Sequence, residues 1–217
     1  DGVIGGQMIY PVINDDWQQD DEVRKQVLVW MDEVNQIAGA EVHISIELGG
    51  YLVFGGNKEG LAALEQKLPV VQDRYPMNLF NHAAFHTPLL QGTSEKARAM
   101  LAKSLFDKPQ VPMIDGEGQI WQPYGADLDA LYDYTLGTQV VAPYNFSKAI
   151  EVAIKEYAPD KLIILGPGAT LGGAVAQCLI RHQWLDMKTK ADFISQQKQE
   201  PFILSMGLED QRKLVIG

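Results

Sequence analysis

Apolar residues recur along this chain with two periods, and the switches between them mark its elements. Residues 6–13, Gly-Gln-Met-Ile-Tyr-Pro-Val-Ile, read as a strand that Pro11 places at an edge or ends early. Asn14 and Asp15 can cap the next element. Val23, Val27, Trp30, Met31 and Val34 then recur at three- and four-residue spacing, which predicts a helix over 20–37 with one apolar stripe, stopped by Gly39. Val42–Glu47 and Tyr51–Phe54 flank Gly49-Gly50 and read as a hairpin. Asn57 can cap a helix over 58–68 that ends before Pro69, and Tyr75–Phe80 is a further strand. The order across residues 6–80 is β-α-β-β-α-β, the ferredoxin-like pattern.

The pattern changes after that. Residues 88–106 predict one helix with Leu89, Leu90, Ala97, Met100, Leu101 and Leu105 inward. Val111–Ile114 reads as a short strand, followed by a Gly-rich loop and a helix around 127–136. Phe146–Glu156 is a helix capped by Asn145 or Ser147. Lys161–Leu165 is a short apolar strand expected to be buried and parallel, and Gly166–Gly168 turns into a helix over 171–181. Such alternation predicts an α/β unit with a parallel sheet. Residues 186–217 read as less regular. The chain therefore divides, as a sequence, into residues 1–80 and residues 81–217.

Composition narrows the function. Hydrophobic residues make up 46% of the 217, enough for a real core. The net charge of −10 argues against nucleic acid as a partner and against a polybasic membrane contact. No apolar run nears the roughly 20 residues that span a bilayer. Cys178 is the single cysteine, so no internal disulfide forms, and a reducing, cytoplasmic setting fits. The chain starts at Asp1 rather than Met, which suggests a fragment or a trimmed polypeptide.

Candidate chemistry concentrates in Ala83-Ala84-Phe85-His86-Thr87-Pro88-Leu89-Leu90. This resembles the AFHSPLM-type histidine motif of malonyl-CoA:acyl carrier protein transacylases and the related acyltransferase domains of fatty acid and polyketide synthases. Two further stretches agree in order and spacing. Gln139–Phe146, Gln-Val-Val-Ala-Pro-Tyr-Asn-Phe, is similar to the family's Q-x-x-x-P-V-x-W segment. Leu165–Gly173 is similar to its E-x-G-P-x-x-x-L turn. The resemblance covers roughly residues 5–183 and implies a ferredoxin-like small subdomain set into a partial α/β-hydrolase-like large subdomain.

The resemblance implies transfer of a malonyl group from malonyl-CoA to an acyl carrier protein through a seryl-acyl intermediate. No serine here sits in G-x-S-x-G, so the nucleophile is expected in an N-terminal segment upstream of Asp1, as is the arginine that pairs with the malonyl carboxylate. His86 is the candidate base and acid, since imidazole titrates near neutral pH. Gln139 would supply its main-chain carbonyl to fix the tautomer of His86; the alternative is a solvated glutamine at a helix end. Phe85 would crowd an α-branched acyl chain and favour malonyl; the alternative is core packing. Coenzyme A enters as a thioester substrate and no cofactor is implied. His82 lies four residues from His86 but lacks a third ligand at metal-site spacing. Gly166-Pro167-Gly168 lacks the GK[ST] ending of a phosphate loop and reads as a structural turn. Glu47–Gly56 keeps the strand and glycines of a family hairpin but not its Asn-Ser-Pro lip. A thioester hydrolase of the same fold, a binding protein that lost its nucleophile, and a nucleotide-binding α/β protein stand as alternatives.

Overall fold

The structure, a computed structural model, describes residues 3–216. The first unit comprises β1 (Gly6–Pro11), α1 (Asp21–Val34), β2 (Val42–Leu48), β3 (Tyr51–Gly56), α2 (Lys58–Lys67) and β4 (Met77–Leu79). Its strands lie in the order β4-β1-β3-β2 with antiparallel neighbours throughout, the ferredoxin-like arrangement. Leu48 pairs with Tyr51 across a two-residue turn at Gly49-Gly50. Asn57 caps α2 through Gly60 N–H, as the sequence suggests. Asp20, rather than Asn14 or Asp15, caps α1 by accepting from Val23 N–H. Asn14 is engaged earlier in the chain, where its Oδ1 takes the N–H groups of Asp16 and Gln18.

Alternation along the strands gives this sheet two covered faces. Met8, Tyr10, Leu52 and Phe54 face α1 and α2 and join Val27, Val34, Leu61 and Leu64 in a closed core. Gln7, Val53 and Gly55 occupy the other face, and residues 84–87 lie across it. A Cβ on Gly55 would come within 2.7 Å of Thr87 Cγ2, so this glycine lets the loop approach. Strand β2 carries a bulge. Ile44 pairs with Phe54 and Ile46 with Val53, leaving Ser45 as the extra residue. In a regular strand Ile44 and Ile46 would share a face; the bulge turns Ile46 to the loop side.

The second unit begins with a short 3₁₀ turn (Pro88–Leu90) and α3 (Gln91–Met100). A hairpin of β5 (Met113–Ile114) and β6 (Ile120–Trp121) comes next. The helix α4 (Leu128–Asp133) runs through a π-type stretch, Tyr134–Thr138, into α5 (Gln139–Val141). Strand β7 (Tyr144–Asn145) pairs parallel with β2 and extends the first unit's sheet. Then come α6 (Phe146–Tyr157), β8 (Leu162–Ile164), α7 (Leu171–Arg181), α8 (Lys190–Gln199), β9 (Ile203–Ser205) and α9 (Glu209–Ile216). Strands β8 and β9 form a parallel pair. Ile154, Val175, Leu179, Met187, Phe202 and Ile203 make the core of this unit.

Four expectations need correction. The single helix over 88–106 is interrupted at Leu101, and Met100, Leu101 and Leu105 are exposed. The reason is the neighbour: α3 meets the helix over 128–141 through Ser94, whose Oγ donates to Leu136 O at 2.5 Å, and Tyr132 Oη donates to the carbonyls of Arg98 and Leu101 where α3 ends. Strand β8 is parallel but not buried on both faces, because among the described residues β9 is its one partner and Ile163 is 47% exposed. Residues 190–216 hold two helices and a strand, more regular than expected, whose short lengths hide their periods. The helix expected around 127–136 continues to Val141 because the π-type stretch absorbs one extra residue without breaking it.

Candidate active site

His86 sits at the start of the second unit, with φ at +57°, a left-handed conformation uncommon for a residue with a side chain. Two neighbours on the chain hold it there. Thr87 and Ala84 are fully buried, and Thr87 Oγ1 donates to Ala84 O at 2.6 Å. Ala84 N–H in turn donates to Ile4 O at 2.8 Å. Pro88 then begins the 3₁₀ turn, where its missing N–H costs nothing.

The imidazole Nδ1–H donates to the main-chain carbonyl of Gln139 at 2.5 Å. That is the pairing the resemblance implies for these two residues. Its origin is local. In a continuing helix, Gln139 C=O would accept from the N–H four residues on. That residue is Pro143, which has no N–H, and Ala142 leaves the helix with φ −121° and ψ 154°. The carbonyl is left over at a helix end, and the imidazole takes it. Donation from Nδ1 fixes the tautomer in which Nε2 is the acceptor. Tyr144, from β7, packs against the imidazole with ring centroids 5.5 Å apart. Burial, and then the Asp115 carboxylate, raise the Tyr144 phenol above its ordinary range, so it stays neutral at physiological pH.

His86 borders a cleft of ≈ 240 Å³ lined also by Ile46, Leu48, Gln139, Tyr144, Phe146 and Leu171. The bulge at Ser45 is what delivers Ile46 to it. Phe146 and Leu171 also line an adjoining apolar cleft of ≈ 350 Å³ that runs along β8 to the Gly166–Gly168 turn. A larger depression, ≈ 860 Å³, lies between the β5–β6 hairpin and α4. His86 is not among its lining residues and it holds no imidazole or thiol, so the smaller cleft is the candidate site. No serine or cysteine lines that cleft among the described residues.

Phe85 is 45% exposed and lies outside the lining residues. Core packing therefore does not describe it; its ring stands edge-on to His82 at 6.2 Å. Gly166 and Gly168 adopt positive φ in their turn, and Gly168 O accepts from Ser205 Oγ at 3.2 Å. Burial raises the Cys178 thiol. Sequence reasoning missed Ser45 and Tyr144. A bulge leaves no mark in strand periodicity, and Tyr144 gains its place through a two-residue strand. No described helix is long and apolar enough to cross a membrane.

No protein-family model matches this chain, and no curated protein matches it. Solved structures do. The acyl-carrier-protein S-malonyltransferase of Burkholderia pseudomallei 1710b aligns with TM-score 0.68 at 17% identity, over 99% of this chain and 59% of its own. The malonyl CoA-acyl carrier protein transacylase of Coxiella burnetii aligns with TM-score 0.63 at 15% identity, over 100% of this chain and 58% of its own. A malonyl-transacylase in complex with its type II polyketide synthase acyl carrier protein aligns with TM-score 0.62 at 21% identity, over 81% of this chain and 53% of its own. This chain thus spans less than two thirds of the length of these structures. Its fold, over that span, is the fold of the malonyl-CoA:acyl carrier protein transacylases.

Proposed function

We propose that this chain provides the histidine half of the catalytic site of a malonyl-CoA:acyl carrier protein transacylase or a close acyltransferase relative. The observation that supports it most is the Nδ1–H bond of His86 to Gln139 O, which leaves Nε2 free to accept a proton, in a residue that lines a cleft. A base oriented through its other nitrogen is what acyl transfer to a hydroxyl needs. The serine comes from a segment N-terminal to this chain, docked along the apolar cleft beside β8. His86 Nε2 takes the serine proton as the oxygen attacks the malonyl thioester carbonyl. The C–S bond breaks, and the imidazolium returns that proton to the coenzyme A thiolate. The second half-reaction repeats the step in reverse. The phosphopantetheine thiol of the carrier protein gives its proton to His86 and takes the acyl group, and the serine is protonated again. Main-chain N–H groups near the serine stabilise the oxyanion, and an arginine of that segment holds the malonyl carboxylate. The protein acts in the cytoplasm.

His86→Ala in the intact protein is expected to slow acyl-enzyme formation by about 10²–10⁴-fold with the fold retained. Malonyl transfer at the parental rate removes His86 from the mechanism. Acyl-enzyme that forms but passes only to water identifies a hydrolase; no acyl-enzyme with any thioester identifies a binding protein. Phe85→Ser is expected to raise methylmalonyl relative to malonyl kcat/KM by an amount equivalent to about 1–3 kcal/mol. An unchanged ratio means that Phe85 has no part in selectivity.

A further inference from the structure

Behind the His86 loop lies a polar chain that the proposed mechanism does not use. Gln7, on β1, and Ser45, on β2, are 3% and 0% exposed. The His82 Nδ1–H donates to Gln7 Oε1 at 2.7 Å, and Gln7 Nε2 donates to Ser45 Oγ at 2.6 Å. Ser45 Oγ donates in turn to the carbonyl of Phe85 at 2.7 Å. The chain of bonds thereby crosses from the sheet to the loop, and its last bond lands on the peptide unit that joins Phe85 to His86.

We infer that Ser45, held by Gln7, is a positioning residue for His86. The coupling passes through the backbone. The Phe85 carbonyl and the His86 N–H belong to one planar peptide, so fixing the carbonyl fixes the plane from which His86 φ is measured. His86 stands at +57°, where a residue with a Cβ does not rest unless its surroundings impose it. Thr87 anchors the far side of the histidine through Ala84 O, and Ser45 anchors the near side. The imidazole then reaches Gln139 O without searching. Strand alternation puts Ser45 on the loop side, opposite Val42 and Ile44 whose face is the apolar core, and the bulge that follows turns Ile46 to the same side. Such bulges re-aim side chains beside functional sites. A serine is the fitting residue: its hydroxyl accepts from Gln7 and donates to Phe85 O at once.

This inference rests on His86 being the base, but its test does not require turnover. Imidazole ¹⁵N resonances of the intact protein report which ring nitrogen carries the proton. In the parent, His86 is expected to be locked with the proton on Nδ1. Ser45→Ala, and separately Gln7→Met, are expected to replace that lock with a mixture of tautomers at His86, while His43 and His182 keep their resonances. In the transfer assay each variant is expected to lose about tenfold in kcat with KM nearly unchanged. Gln7→Met serves where Ser45→Ala fails to fold. A locked Nδ1–H tautomer retained in either folded variant overturns the inference. Locked parent and mixed variants without measurable transfer in any of them uphold the positioning role and count against the proposed reaction instead.

Discussion

The antiparallel and parallel parts of this molecule treat their apolar residues in opposite ways. The sheet of β1–β4 is covered by α1 and α2 on one face and by the His86 loop on the other, and Met8, Leu52, Val53 and Phe54 have almost no contact with water. Strand β8 is covered on one face only, although β9 beside it is buried throughout. Ile163 is 47% exposed and Leu165 is 81% exposed, beside an open apolar cleft of ≈ 350 Å³. A four-stranded antiparallel sheet with two helices can satisfy itself, whereas a parallel pair needs neighbours on its edges and helices on both faces. The chemistry obeys the same division. The closed unit supplies the rigid floor that carries the His86 loop; the open unit leaves an apolar surface, where the proposed serine-bearing segment would rest.

The sharpest way to break this contrast is truncation on each side. Phe54→Ala removes a ring from the closed core and should cost about 3–5 kcal/mol wherever it is measured. Ile163→Ser should be nearly neutral in residues 1–217 expressed alone, because its side chain already meets water. In the intact protein the same change should cost like a core truncation. Urea unfolding of both variants in both settings decides it. A neutral Ile163→Ser in the intact protein would mean that nothing covers β8. Residues 1–217 alone should also self-associate in size-exclusion chromatography through the open edge of β8; a monomer with a sharp cooperative melt would weigh against the proposed N-terminal cover.

Much of the closed unit was legible in the sequence because its signals are local. Period, the Gly49-Gly50 turn, the Asn57 cap and the order of elements each depend on residues close together in the chain. His86 and Gln139 were legible through the resemblance, and Pro143 gives the physical reason for their pairing, since a proline four residues on strips the Gln139 carbonyl of its helical donor. Other features were not legible. The row Met100, Leu101 and Leu105 has helical spacing, but these side chains stand exposed, so the period foretold burial that does not occur. The strand over 161–165 reads as buried for the same reason: apolarity states what a residue would cover, not whether the cover is present. Ser45 looked like a strand serine because a bulge is set by pairing between strands, which no single-strand pattern records.

The junction of the two units gives a smaller effect. The Gly49-Gly50 turn inserts between α6 and α7. Gly49 N–H donates to Ser147 Oγ at 2.8 Å, and Gly50 N–H to Gln177 Oε1 at 2.8 Å. Gly49 has φ +63°, and a Cβ there would lie 2.5 Å from Ala174 O. Gly49→Ala therefore strains the backbone and pushes the hairpin off α7, at a cost of about 2 kcal/mol. Chemical denaturation should show the loss, together with a second transition as the units unfold separately. A single transition at parental stability would mean that the turn does not join them.

The smallest effect expected concerns what α6 contributes by itself. Glu151 accepts from Lys155 Nζ at 2.7 Å and Lys148 Nζ at 3.1 Å, at spacings that face one another along a helix. These bonds, Lys155 first, hold its carboxyl down at about 2, below the usual 4.5. A carboxyl whose folded value is depressed adds stability above its unfolded value and loses it as the pH falls. The contribution should thus be complete above 4.5 and fade toward 2. Water and salt screen such surface pairs, so each is worth only about 0.3–0.5 kcal/mol. Glu151→Gln should lower stability by that order at pH 7. The difference from the parent should close as the pH is taken from about 5 toward about 2, and in high salt at neutral pH. If Glu151→Gln instead cost more than Gly49→Ala, local charge pairing on α6, rather than docking of the β2–β3 turn, would be what keeps the open unit in place.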